Sequence, residues 1–384
     1  MAKHLRTLIA LSIVPQIVLV KIIGSFPGLV ETYYSTGLYP IISKTARYVF
    51  GWIPFSVGDI IYSIAAVFLI RFLIKELPQL FKKPMVLLRE CLVVISVLYA
   101  LFHMLWGFNY YRLPLHEKLH LSELYTQEEL YHYTNYLIQQ SNAIHKQLSA
   151  DSTAMIKIPY SKEEIYKKSL EGYQKLSQQY PDLKLQAQSI KTSLYSTGLT
   201  YMGYGGYLNP FTNEAQVNGL QINYRYPIVS CHEQAHQIGY SAENEANFIG
   251  FLAATHNTDK YFQYSGYLYV LRYALAAVKR KSPEQFEVLK KQLYPGIIKN
   301  YIQVDTFWKK HKTKAEPYFK KTFNSFLKAN NQKKGIKSYS YVVALLVNYH
   351  KAQHKKTVSI KFSKAHCFNH LPVEYATPMV INTN

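Results

Sequence analysis

The sequence predicts a mainly α-helical protein: three N-terminal transmembrane helices, then an α+β domain built around one short helix with both ends punctuated. Three observations carry this. Three apolar runs separated by charge clusters fall within the first third of the chain. After residue 110, capped amphipathic helical patterns dominate, interrupted by one stretch in which Thr, Tyr and Gly alternate. Finally, Pro227-Ile-Val-Ser-Cys-His-Glu-Gln-Ala-His-Gln-Ile-Gly239 reads as a short helix with two histidines four residues apart. The expected division is 1–110 for the membrane part and 111–384 for the domain outside it.

Met1–Arg6 is basic, and Thr7–Ile23 is apolar apart from Pro15, Gln16 and Lys21. Gly24-Ser-Phe-Pro-Gly28 offers no small-x-small cleavage site, so the run reads as an uncleaved span rather than a signal peptide. Residues 24–56 read as a loop, with Trp52 near the next interface. Val57–Ile74 is the second span; Asp59 stands at its start, and Arg71 near its end can extend to the headgroups. Cys91–Phe108 is the third, with Trp106, Tyr110 and Tyr111 as an aromatic belt. Lys3 and Arg6 precede the first span, and Arg71, Lys75, Lys82, Lys83 and Arg89 flank the second and third, against Lys44 and Arg47 in the first loop. The positive-inside rule then places the N-terminus in the cytoplasm and everything after about Tyr110 in the periplasm of a Gram-negative cell, anchored in its inner membrane.

The net charge of +21, from 44 Lys+Arg against 23 Asp+Glu, would suit nucleic acid, an anionic membrane face or an acidic polymer. No nucleic-acid motif is present and the lysines are scattered over helices, so the expected partner is the lipid bilayer, not nucleic acid. Three cysteines are too few for a disulfide scaffold; Cys91 lies in a span, and Cys231 and Cys367 are expected to stay unpaired.

Thr126–Leu148 and Ser161–Gln178 read as helices, opened by Thr126-Gln-Glu-Glu and Ser161-Lys-Glu-Glu. Ser189–Asn218 reads as two or three short strands. Tyr261–Lys279 is apolar enough for a fourth span, but Gln263, Ser265 and Arg272 favour a buried helix. Ser282–Leu293, Gly296–His311 and Ala315–Lys328 are helices with lysine-rich solvated faces; Tyr341–Tyr349 is an apolar helical run and Lys356–Lys364 a terminal strand. His350, His354, His366 and His370 are loosely spaced and read as surface or structural.

In the central helix, Pro227 suits a first turn and Gly239 suits a C-terminus that needs positive φ. His232 and His236 project from one side, with Glu233 beside them: two nitrogen ligands for Zn2+ and a carboxylate able to take a proton from an attacking water. Ile228, Cys231, Ala235 and Ile238 form a separate apolar stripe. A catalytic zinc usually has three protein ligands. Ser241 is a good N-cap for a helix beginning near Ala242, whose first two turns carry Glu243 and Glu245 on different faces.

His232-Glu233-x-x-His236 followed by Glu245-Ala246-Asn247 resembles the gluzincin pattern, whose third ligand is a glutamate on the next helix. The longer run from Asn209-Pro-Phe-Thr-Asn-Glu-Ala-Gln-Val-Asn218 to Glu245-Ala-Asn-Phe248, with Trp106-Gly-Phe-Asn-Tyr110 and Ser338-Tyr-Ser-Tyr341, is similar to an uncharacterised bacterial family. Its members carry a few N-terminal membrane spans and then a predicted zinc metallopeptidase domain. The resemblance implies a zincin-like domain, Glu245 rather than Glu243 as third ligand, and an edge strand near Tyr201–Tyr207 along which a peptide lies extended. By analogy with zinc peptidases that use a Tyr, Tyr339 is the candidate transition-state hydroxyl, Tyr341 being better suited to packing. The expected activity is membrane-anchored, zinc-dependent hydrolysis of peptide or protein substrates, with Glu233 as general base. The rivals are a non-catalytic, metal-stabilised envelope binding protein and a zinc amidase acting on a cell-wall polymer.

Overall fold

The computed structural model describes residues 2–76, 83–332 and 341–354. Three of its helices, His4–Gly24, Val57–Lys75 and Pro84–Leu105, are long and apolar enough to cross a membrane, and most of their side chains are exposed. The first and third pack together through small polar contacts: the Ser12 and Ser96 hydroxyls lie 2.9 Å apart, and Gln16 Nε2 donates to Ser96 at 2.8 Å. Arg6 and Glu90 pair at one end of this couple, while Gly24 lies against the Tyr111 ring at the other. The spans therefore meet the rest of the chain at Gly24, Val57 and Leu105.

Residues 27–50 are helical rather than a loop, as Pro27–Leu29, a π-helix over Val30–Leu38, and Tyr39–Phe50. The third span begins at Pro84 and ends at Leu105, and a 3-10 turn over Gly107–Tyr111 folds its aromatic end inward. Trp106, Tyr110 and Tyr111 are consequently buried with Val20, Val30, Tyr39 and Leu327 instead of forming a lipid-facing belt.

The remainder is mainly helical with a small sheet. Gln127–Leu148 and Lys162–Gln179 both open on capping boxes: the Thr126 and Ser161 hydroxyls accept from the N–H groups of Glu129 and Glu164, whose carboxylates accept in return from the cap N–H. The sheet comprises β1 (Ile190–Thr192), β2 (Gly206–Leu208) and β3 (Ala215–Val217) in the order β1-β3-β2. β1 is parallel to β3; β2 is antiparallel, with Tyr207 opposite Gln216. Ser196–Met202 is a helix, so the strand expected at Tyr201–Tyr207 is confined to Gly206–Leu208.

Tyr226–Gln237, Glu243–His256 and Lys260–Lys281 form the centre of the core, with Ile228, Phe248, Phe262 and Leu271 fully buried. The third of these helices is thus a core helix. Pro283–Lys290, Pro295–Lys310 and Glu316–Ala329 follow, and a helix over 342–354 returns to the core through Val342, Val343 and Leu346. Tyr339, Cys367, His366, His370 and the strand Lys356–Lys364 lie outside the described residues.

Candidate metal centre

The helix Tyr226–Gln237 is buried along its whole length, and its end explains how it is aimed. Gly239 takes φ +91, a conformation open to it because it lacks a Cβ. The Gly239 N–H donates to His236 O at 2.9 Å and the Tyr240 N–H to Ala235 O at 3.2 Å, the paired bonds of a Schellman stop. The last carbonyls are taken up by groups far away in sequence. Tyr39 Oη and Arg47 Nη1 donate to Gln237 O at 3.0 and 2.8 Å, and Arg112 Nη1 donates to Gly239 O at 2.9 Å. Arg112 also grips Glu31 in a bidentate pair at 2.8 and 3.0 Å and lies over the Tyr240 ring.

This frame sets the histidines. His236 Nδ1 lies 2.6 Å from Tyr240 O, which fixes the ring and leaves Nε2 for the site. The ligand atoms of His232, Glu233 and His236 all lie within 4.8 Å of one another, and this buried group could hold a metal ion. A fourth group joins them: Glu243 Oε2 lies 3.3 Å from His232 Nε2 and 3.7 Å from His236 Nε2. Glu245 does not. Its Oε1 accepts from the Leu115 N–H at 2.7 Å. The expectation that Glu245 rather than Glu243 faces the histidines is therefore corrected by the geometry. The helix starts at Glu243 with Ala242 as its cap, while the Ser241 hydroxyl donates to Asn109 O at 2.9 Å. At about 100° per residue, two positions amount to about 200°, so only one of the two carboxylates can face the histidines.

Burial pushes the Glu233 carboxyl up to about 7; the two imidazoles pull it back and Glu243 pushes it further up. Burial works against a proton on His236, but the Glu243 carboxylate beside it outweighs this and raises the imidazole to about 9. Glu243 is buried too, yet the neighbouring imidazoles hold it well below the usual carboxylate range. Glu245 is pushed up to about 7 by burial, against the pull of the Leu115 N–H and Arg112. Glu233 Oε2 and Glu243 Oε2 are buried with no hydrogen bond completed. Two imidazoles with a buried carboxylate on either side, Glu233 among the clustered ligand atoms and Glu243 against both Nε2 atoms, are donor types suited to a divalent cation.

A cleft of about 1070 Å³ runs past this group. β2 forms one side, and a Cβ on Gly206 would come 2.5 Å from Glu233 Oε1, so only glycine lets the strand lie this close. Asn209 N donates to Glu214 O and Asn218 N to Gly205 O, which turns odd-numbered β2 residues toward β3. By the alternation of an antiparallel ladder, the main-chain groups of Gly206 and Leu208 face away from β3. Arg225, Tyr269 and Tyr273 also line the cleft, and the sequence reading passed over them. The one signal for the tyrosines was their spacing of four on a helix. The Asn209–Asn218 run is structural: the Glu214 carboxylate accepts from the N–H groups of Val57 and Gly58 at 3.1 and 2.6 Å, capping the second span. Asp59 accepts in turn from the Ser193 hydroxyl and the Leu194 N–H.

Fold and site together define a mainly helical protein with three membrane-length helices and a buried His–Glu–His group beside a long cleft. The chain belongs to the family DUF3810, described as a protein of unknown function, whose model matches residues 34–347. No curated protein and no solved structure matches the chain.

Proposed function

We propose that the protein is a membrane-anchored zinc metallopeptidase. The observation that supports this most directly is the convergence of His232 Nε2, His236 Nε2 and Glu243 Oε2 beside Glu233, on the wall of a cleft bordered by an edge strand. His232, His236 and Glu243 would hold the metal. A bound zinc would polarise the scissile carbonyl and acidify a water. Glu233 accepts the proton of the attacking water and passes it to the leaving amine. Gly206 and Leu208 pair with an extended substrate backbone through their free N–H and C=O groups, an attachment that demands little of the substrate's sequence. The Lys/Arg distribution supports an inner-membrane protein with this site in the periplasm.

The test is zinc content and peptide hydrolysis of the full chain and four variants. Wild type should carry about one zinc. His236→Ala and Glu243→Gln should lose the metal together with hydrolysis, while Glu245→Gln should keep the metal. Glu233→Gln should keep zinc and lose hydrolysis. Metal-replete wild type without zinc would end the proposal, as would hydrolysis surviving in Glu233→Gln. Zinc without turnover of any peptide would favour a metal-stabilised binding protein.

A further inference from the structure

The cleft does not stay within the globular part. Its lining includes Tyr62, one turn into the second span, and Phe102, one turn from the end of the third. At about 1.5 Å per residue, Tyr62 lies only some 7.5 Å beyond Val57, and Phe102 about 4.5 Å before Leu105. This opening is therefore at the depth where a span emerges from the bilayer. Phe211 stands against Tyr62 on one side, with ring centroids 6.3 Å apart. On the other side Phe326 packs 6.0 Å from both Phe102 and Tyr110. The helix that carries Phe326 leaves Tyr318 73% and Phe319 41% exposed, as expected of an element lying along an apolar boundary.

The two spans that frame the opening are held differently. The third packs on the first through Ser96. The second is fastened to the sheet, through Glu214 and Asp59. Beyond Tyr62 it turns Val67 and Phe68 outward, each 65% exposed. The cleft lining thus runs from the ends of two membrane-length helices, past aromatic rings on both sides, to Gly206 and the histidines. Its other end, at Arg225, Tyr273, Trp308 and His311, belongs to the globular part.

From this geometry, and resting on the hydrolytic reading of the same site, we infer that the substrate is a polypeptide tethered in the bilayer, admitted sideways between the second and third spans and cut close to the membrane surface. A freely soluble peptide has no need of a cleft that reaches that depth. A tethered chain emerging there finds the unpaired edge of β2 within a few residues of its anchor.

The experiment uses the full chain in phosphatidylethanolamine–phosphatidylglycerol vesicles. Two probe peptides carry the same apolar anchor of about 20 residues and the same randomised octapeptide. In one, the octapeptide follows the anchor directly; in the other, a Gly/Ser spacer of about 30 residues holds it off by roughly 30 Å. Both probes are equally concentrated at the membrane, so co-localisation alone predicts equal rates. The inference predicts cleavage of the near site about 10-fold or more faster, the scale of a favourable effective concentration. In a second arm, a photo-crosslinker replaces Tyr62 in the Glu233→Gln protein, which should capture the near probe and not the far one. Equal cleavage of the two probes would overturn the inference while leaving the peptidase reading intact. Capture of the near probe without hydrolysis by wild type would overturn the peptidase reading, and with it the cleavage step of the inference, and would leave only sideways entry standing. A crosslinker at Tyr62 that captures neither probe would also overturn the inference.

Discussion

Gly250 offers a test of the site that replaces no proposed ligand. It lies on the helix that carries Glu243, where that helix crosses the histidine helix, and a Cβ there would come 2.9 Å from His232 N and 3.0 Å from its Cα. Both are backbone atoms, so neither can swing aside. Restoring ordinary van der Waals contact requires the helices to part by about 0.5 Å, beyond the roughly 0.2 Å to which metal–ligand distances are usually held. Glu243 rides on one helix and His232 on the other, so Gly250→Ala stretches the site while keeping every donor. Overpacking of this kind costs about 1–3 kcal/mol, and the melting temperature should fall by several degrees. Zinc affinity should drop about 10–100-fold, the scale seen when groups that orient ligands are disturbed. The assays are competition for zinc against a chromogenic chelator and a thermal melt in detergent. Gly198→Ala is the control, because a Cβ there meets nothing within 4 Å. If Gly250→Ala bound zinc as tightly as wild type and melted with it, the stated link between helix spacing and site geometry would be wrong.

Other outcomes follow from the frame around the site. Glu31→Gln strips the charge partner from Arg112, whose side chain is 5% exposed, and should cost about 3–5 kcal/mol in a detergent melt. Burial pushes Glu31 up, but Arg112 and Lys118 outweigh it and hold the carboxyl below its usual value of 4.5. A depressed native value means stability that is complete above pH 4.5 and lost as the pH falls through the native value, so this variant should flatten the acid limb of the stability curve. Tyr39→Phe removes a donor to Gln237 O and leaves Asn213 Nδ2 without its acceptor, at a cost of about 1–3 kcal/mol that an unchanged melt would contradict. Asp59→Ala removes the acceptor for Ser193 and Leu194 and should slow peptide hydrolysis more than it lowers zinc content, since it loosens the sheet and not the ligands.

The parts of this structure that were legible in the sequence are the local ones. Two histidines four apart, a glycine just past the helix end, and Ser/Thr followed three residues later by Glu are signals contained within one or two turns, and each appears as expected. The choice between Glu243 and Glu245 was not legible from spacing. It depends on the rotation of a helix whose first residue must be known, and the Ser241 hydroxyl that would have marked it is engaged with Asn109. Arg112 was equally hidden: its partners Glu31 and Gly239 are 81 and 127 residues distant. Trp106, Tyr110 and Tyr111 have the composition of an interfacial belt, and only the 3-10 turn that follows the span shows them to be core. The segment 27–50 lacks clean helical periodicity because part of it winds as a π-helix.

The caps on the histidine helix have a practical consequence. Tyr39 and Arg47 come from the segment between the first two spans, and Arg112, just after the third, is held by Glu31 from that same segment. A fragment beginning at 111 would keep both histidines, Glu233 and Glu243, yet lose the donors that hold Gln237 O and the carboxylate that fixes Arg112. The membrane-proximal third is thus not a leash from which an independent domain can be cut. It is the jig in which the histidine helix is clamped, and a truncated protein found inactive would say nothing about the chemistry of the whole.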